Sequence, residues 1–189
     1  MPSRLKSISL FLAKLVGWTL FFAGVYYLTA AVYARIVLTV ANLLANLALP
    51  LKILPYQQVM VVISPQASGP IGIPYELAKI GLSAIFAPAL VLATVGLSLK
   101  GTLRALAALG IMILLGALEI SSIIFFYLSH PANTSISLGL SDGITHAIGL
   151  LYRFFDRMSY ALFPFLAWFL SCSDVIARLM AGKGRAQSL

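Results

Sequence analysis

Long apolar runs separated by short polar turns dominate the chain. Four runs reach the length of about 20 mostly apolar residues that a membrane-spanning helix needs. These predicted spans are Ile8–Tyr27, Leu77–Leu99, Leu103–Leu128 and Ile148–Val175. Pro88 is expected to kink the second span, and Pro164 lies near the middle of the fourth. The pattern therefore predicts an all-α membrane protein with four main transmembrane helices.

Two segments between the first and second spans have a different pattern. Ala31–Leu51 is apolar nearly all round, and its Asn42 and Asn46 are four residues apart, hence on one helical face. This segment is predicted as an interfacial helix, a re-entrant helix or a continuation of the first span. Tyr56–Tyr75 is rich in β-branched residues and proline, which indicates a short extended or hairpin loop on the outward side.

Composition places this pattern in a bilayer. The 189 residues are 61% hydrophobic and 10% charged, with a mean hydropathy of +1.00. Soluble domains carry about 25% charged residues, so this chain cannot cover a water-exposed surface. The net charge of +8 then reports orientation and contact with lipid headgroups, and no nucleic-acid partner is expected.

Basic residues in short loops predict the orientation. They cluster before the first span, between the second and third, and after the fourth, at Arg4, Lys6, Lys100, Arg104, Arg178, Lys183 and Arg185. With four spans these sets share one side, which the positive-inside rule makes cytoplasmic. Both termini are therefore predicted to be cytoplasmic, with one membrane domain over residues 1–180 and a short basic tail over residues 181–189.

Glu119 is the acidic residue of the third span. An ionisable group near the bilayer centre costs about 2.5–3.5 kcal/mol or more and suggests function by default. The structural alternative is a carboxylate that is hydrogen-bonded to Ser121, Ser122 or a neighbouring helix, or paired with Arg153 or Arg157 of the fourth span. The spacing favours the structural reading.

Arg153, Asp156 and Arg157 follow one another at helical spacing and can share one face. A local Asp156–Arg153 pair at the membrane surface explains them structurally. The functional alternative is an outward polar cleft that these three residues build together with Glu119. This candidate polar cluster is the strongest site hypothesis that the residues offer.

Other reactive side chains give weaker signals. His130, His146 and Asp142 lie in or beside one loop without a recognised metal-ligand spacing, so no metal site is predicted. Cys172 has Asp174 as a near neighbour, which opposes thiolate formation, and it is interpreted as a packing residue. No catalytic residue and no cofactor is assigned.

One stretch resembles a known family. ATVGLSLKGTLRALAALGIMILLGALEISSIIFFYLSH, from Ala93 to His130, resembles the central region of the exosortases and archaeosortases. These are multi-spanning transpeptidases and proteases that process carboxy-terminal sorting signals. In the family, a basic turn joins two helices, and a last helix follows them. Here Ser98–Arg104 would form the turn, and the segment from Asp156 would begin the last helix.

The three catalytic positions of the family find no match. The segment before the basic turn, GIPYELAKIGLS, contains no cysteine. The position of the family's arginine is occupied here by Glu119, Ser121 and Ser122. The position of its histidine is occupied by Asp156 and Arg157. The resemblance therefore implies an exosortase-associated protein of the bacterial inner membrane without catalytic activity.

Three functions remain open at this stage. The first is a non-catalytic accessory or scaffold protein that binds the lipid bilayer and another membrane protein, such as an exosortase, through small residues including Gly81, Gly110 and Gly116. The second is a membrane enzyme with the polar cleft described above. The third is a small transporter or channel subunit.

Overall fold

The computed structural model describes residues 2–47, 50–56, 59–63, 70–74, 77–129, 140–159 and 161–185. This part of the chain is mostly helical and contains five helices and one small sheet. In chain order the elements are α1 Pro2–Asn46, β1 Lys52–Tyr56, β2 Val59–Ile63, β3 Ile71–Pro74, α2 Leu77–Val95, α3 Leu99–Ser129, α4 Asp142–Met158 and α5 Phe163–Arg185.

Helix α1 unites two predicted segments. Its 45 residues contain the predicted span Ile8–Tyr27 and continue through most of Ala31–Leu51, so the latter is neither a separate interfacial helix nor a re-entrant one. No proline or glycine interrupts the chain between Val25 and Asn46, which explains the continuity. At 1.5 Å per residue the helix is about 67 Å long, twice the thickness of a bilayer's hydrocarbon core.

The two halves of α1 differ in burial. The most apolar window of its first part has no buried residue, and Leu5, Val16 and Leu20 are exposed. The second half buries one stripe, formed by Tyr33, Val37, Leu38, Ala41 and Ala45. Helix α1 packs on α2, α3 and β1, and its fully buried residues lie in its second half, whereas Trp18, Phe22 and Tyr26 pack against the core while only partly buried.

The predicted extended loop forms a three-stranded antiparallel sheet in the order β1-β2-β3. Ile53 pairs with Val62, and Met60 pairs with Ile73. These four side chains are buried on one face, whereas Leu54 and Ile63 point to the exposed face, as strand alternation requires. The prediction of a hairpin in this region is confirmed.

The two asparagines of α1 hold the edge of this sheet. Asn46 Oδ1 accepts a hydrogen bond from the Leu51 backbone N–H at 2.8 Å, and Asn42 Oδ1 accepts one from the Ile53 N–H at 3.2 Å. Two residues of a strand rise about 6.8 Å and four residues of a helix about 6 Å, so the two spacings match. The shared face that the sequence predicts for Asn42 and Asn46 is thus an edge-capping face.

Helices α2 and α3 form a tight hairpin. Gly96 ends α2 with a positive φ of 76°. Glycine adopts this backbone conformation at a lower free-energy cost than residues that carry a side chain. Ser98 Oγ then accepts a hydrogen bond from the Gly101 N–H at 3.1 Å and caps α3. Helix α3 begins at Leu99, four residues before the predicted boundary, so Lys100 and Arg104 lie in its first turns.

The predicted fourth span is divided into α4 and α5, which meet at a bend of 78°. The division has a local cause. Pro164 occupies the second position of α5, where its missing N–H costs nothing and where it favours a helix start over a continuous helix. The sequence predicts one continuous fourth span with Pro164 near its middle, whereas the chain forms two helices there.

Two helices of the described chain are long and apolar enough to cross a membrane, α1 from Leu5 and α3. The bent pair α4 and α5 becomes a third crossing if it is counted as one span. Helix α3 is central, because it contacts α1, α2, α4 and α5. Polar side chains on the covered faces of α3 are therefore enclosed by several helices.

Candidate functional site

Glu119 lies in this enclosed part of α3 and is only 3% exposed. It stands among apolar residues of α3 that are also buried, including Ala117 and Ile120. The bundle therefore shields the carboxylate from solvent, whichever groups it contacts. Burial of this extent means that its hydrogen bonds and electrostatic partners decide its protonation.

Tyrosines from two other helices lie near the carboxylate. Tyr33 of α1 and Tyr152 of α4 both lie within electrostatic range of Glu119. The Tyr33 hydroxyl is buried and has no hydrogen-bond partner in the part of the chain that the structure describes. The site is thus a meeting point of α1, α3 and α4, a relationship that sequence spacing does not reveal.

The neighbouring serines satisfy the backbone of α3. Ser122 Oγ donates to the carbonyl oxygen of Glu119 at 2.7 Å, and Ser121 Oγ donates to that of Ala117 at 2.8 Å. A hydroxyl has a single proton to donate. These serines therefore do not donate to the Glu119 carboxylate, contrary to one of the structural readings.

Helix α4 carries the other three residues of the candidate polar cluster. Asp156 is half-buried, and Tyr152 lies within electrostatic range of both Asp156 and Glu119. Arg153 and Arg157 are exposed. The structure thus brings Glu119 and Asp156 towards one tyrosine and places both arginines on the outer surface of α4.

The ion pair recorded among the described residues lies elsewhere. Arg104 of α3 donates to Asp174 of α5 at 2.6 Å, near the α2–α3 turn. The predicted pairing of Glu119 with Arg153 or Arg157 is not among the ion pairs of the described chain. Both arginines instead stay in contact with the surroundings of the protein.

Aromatic contacts fix α4 against α3. The rings of Phe126 and Tyr152 are stacked, with centroids 4.7 Å apart and planes inclined by 26°. Gly149 faces the Phe126 ring, and a Cβ at this position would make an ordinary van der Waals contact with that ring at 3.5 Å. Sequence reasoning assigned no role to Tyr152, because an aromatic residue at helical spacing is ordinary in an apolar helix.

The remaining candidates have simpler roles. Cys172 is fully buried, which confirms its interpretation as a packing residue and leaves it inaccessible as a nucleophile. Within the described residues, no three His, Cys, Asp or Glu side chains group as a metal site would require. His146 and Asp142 line a shallow groove on α4, and His130 lies outside the described residues.

Comparisons with known proteins give no relative for this arrangement. No protein-family model, no curated protein and no solved structure matches the chain. The function is therefore inferred from the molecule's own surfaces and buried groups.

Proposed function

We propose that this chain is a non-catalytic accessory protein that binds another integral membrane protein, of the exosortase type that its sequence resembles. The central observation that supports partner binding concerns α3. Although four helices contact α3, one of its stripes is uncovered along the first half of the helix. A helix at the centre of a bundle usually loses such a face to its neighbours.

The uncovered stripe consists of Leu103, Ala107, Gly110 and Leu114, spaced four, three and four residues apart. Leu103 is 57% exposed and Leu114 is 48% exposed. Gly110 has open space where a side chain would be. Small residues within apolar stripes allow close approach of a second helix in a membrane, where packing drives association.

The other two glycines named from the sequence serve the bundle itself. Gly81 of α2 faces the ring of Tyr26, which leaves no room for a side chain, and Gly116 of α3 is buried. Gly110 is therefore the small residue of this set that a partner helix can reach. The proposal assigns partner binding to Gly110 and internal packing to Gly81 and Gly116.

Co-purification with an exosortase-type enzyme expressed in the same cells tests this proposal. Gly110→Leu should reduce recovery of the enzyme about tenfold, because the bulky side chain separates the helices. Gly17→Leu makes the same change at an exposed, open position of α1 and should leave recovery unchanged. Absence of the enzyme from the wild-type preparation, or equal loss with both variants, would contradict the proposal.

An enzyme with an outward polar cleft is the second candidate. The observation that favours it is the position of Tyr152 in electrostatic range of both Glu119 and Asp156. Glu119→Gln separates the two functions, since it preserves the shape of a scaffold but removes an acid or base. Normal abundance and normal partner recovery in this variant support the scaffold, whereas lost sorting at normal abundance supports the enzyme.

We further propose a bacterial inner-membrane location, four crossings and two cytoplasmic termini. Support comes from Lys100 and Arg104 beside the α2–α3 turn, together with the parallel course of α1 and α3, whose Ala41 and Ser121 are adjacent. In a Cys172→Ala background, Leu140→Cys should react with a membrane-impermeant maleimide in intact cells. Leu97→Cys should react only after permeabilisation, and the reverse pattern would refute this orientation.

A further inference from the structure

A shallow polar groove lies where α4 crosses the end of α3. It has a volume of about 270 Å³ and is open on one side. Helix α4 supplies both acidic and basic side chains to it, and α3 supplies an aromatic wall. The lining residues are Phe126, Asp142, Thr145, His146, Gly149, Leu150 and Arg153.

Helix α4 presents three different stripes along its length. Half-buried residues face α3, namely Thr145, Gly149 and Tyr152. A second stripe is apolar but exposed, namely Ile144, Ala147, Leu151 and Phe154. The third stripe, Asp142, His146, Leu150 and Arg153, forms the groove together with Thr145 and Gly149 of the first stripe. A charged surface and an uncovered apolar surface therefore run along the same helix. The charged surface matches the headgroup of a membrane lipid, and the apolar surface matches its acyl chains.

The position of the groove along α3 corresponds to a membrane surface. Phe126 follows Arg104 by 22 residues, which is about 33 Å along a helix axis. The hydrocarbon core is about 30 Å thick. If Arg104 lies at one boundary of the hydrocarbon, Phe126 reaches the other, and the groove lies at the depth of the lipid headgroups.

We propose that this groove binds the headgroup of a zwitterionic amino-phospholipid, with the acyl chains passing over Leu150 of the groove onto Phe154 of the exposed apolar stripe. Arg153 and His146 supply donors for the phosphodiester, and Asp142 supplies the acceptor for the ammonium group. Side chains of a helix incline towards its N-terminus, so the Arg153 guanidinium extends towards His146. Asp142 lies one turn further, about 6 Å away along the axis.

Charge complementarity selects this class of lipid over an anionic one. The groove contains one arginine, Arg153, and one carboxylate, Asp142. The charges of these two side chains sum to zero, as do those of an ethanolamine headgroup. A phosphatidylglycerol headgroup carries the same phosphate but offers no cation to Asp142, whose carboxylate then opposes its binding. This inference is independent of partner binding by α3.

Native mass spectrometry of the delipidated, full-length protein in detergent tests the proposal. The probes are dihexanoyl phosphatidylethanolamine, dihexanoyl phosphatidylglycerol and free phosphoethanolamine. The wild type should retain the ethanolamine lipid about three- to tenfold more than the glycerol lipid, as expected for partly exposed charge-assisted contacts. Free phosphoethanolamine should bind least, because it lacks the acyl chains.

Substitutions of exposed residues separate the contacts. Arg153→Gln should reduce retention of both lipids, whereas Asp142→Asn should remove the preference for ethanolamine. Arg157→Gln is the matched control, because Arg157 is an exposed arginine of α4 outside the groove. Equal retention of both lipids by the wild type, no effect of Arg153→Gln, or equally strong binding of free phosphoethanolamine would overturn the proposal.

Discussion

Removal of the two asparagine side chains that cap β1 should detach the sheet from α1. In Asn42→Ala and Asn46→Ala, the backbone N–H groups of Ile53 and Leu51 lose their acceptors. Both hydrogen bonds are partly buried, and an N–H left without an acceptor costs about 1–3 kcal/mol. Because water can reach this sheet edge in part, we expect about 1 kcal/mol for each single change and about 2–3 kcal/mol for the pair.

Hydrogen exchange followed by mass spectrometry is the appropriate assay, because it reports on these amides directly. Exchange in the segment containing Leu51 and Ile53 should accelerate about fivefold in each single variant and more in the pair. Asn46→Asp retains an acceptor oxygen and should preserve most of the protection. Thr39→Ala is the control on the same helix, because its hydroxyl bonds only to the exposed Arg35 carbonyl. Unchanged exchange in the double variant would refute the edge-capping role.

Two further changes probe the packing of α5. Trp168→Phe removes the 2.9 Å hydrogen bond from Trp168 Nε1 to Thr94 Oγ1. It should lower the free energy of unfolding by about 0.5–1.5 kcal/mol, measured by denaturant titration in detergent. An unchanged titration midpoint would count against this bond. Arg104→Gln should cost less than about 1 kcal/mol, because Asp174 is half-exposed and surface ion pairs stabilise little. A much larger loss would show that solvent screens this ion pair less than its exposure indicates.

The helical content could be predicted from the sequence because lipid-spanning helices depend on long apolar runs. The limits of α1 could not be. The segment around Ala31 has no helix breaker, but apolar residues on all sides of a helix do not distinguish one long helix from two short ones. Contacts with α2 and α3, and the hydrogen bonds from the sheet edge to Asn42 and Asn46, stabilise its second half, and these contacts are non-local.

The break at Pro164 shows a second limit. Proline predicts that a helix changes there, but tertiary contacts determine whether it bends or starts again. Here Phe155 and Phe163 pack edge to face, with centroids 5.5 Å apart, and hold α4 and α5 at their angle. Aromatic residues beside a proline in the sequence do not predict the angle between the two helices.

The arrangement of the residues in the candidate polar cluster could not be predicted from the sequence. Glu119 is buried, as its place in an apolar run indicates. Its electrostatic neighbours, Tyr33 and Tyr152, come from helices that are distant in sequence. Spacing within one helix can place Arg153 and Asp156 near each other, but it cannot show which face of α4 turns towards α3.

Photo-cross-linking from the exposed stripe of α3 tests the proposed function most directly. A photoreactive residue at position 114, in native membranes that contain an exosortase-type enzyme, should cross-link to that enzyme, and Gly110→Leu should abolish the product. The same residue at position 43 of α1, also an exposed leucine, should give no such product. Cross-links from position 114 to lipid alone, in membranes that contain the enzyme, would contradict the account.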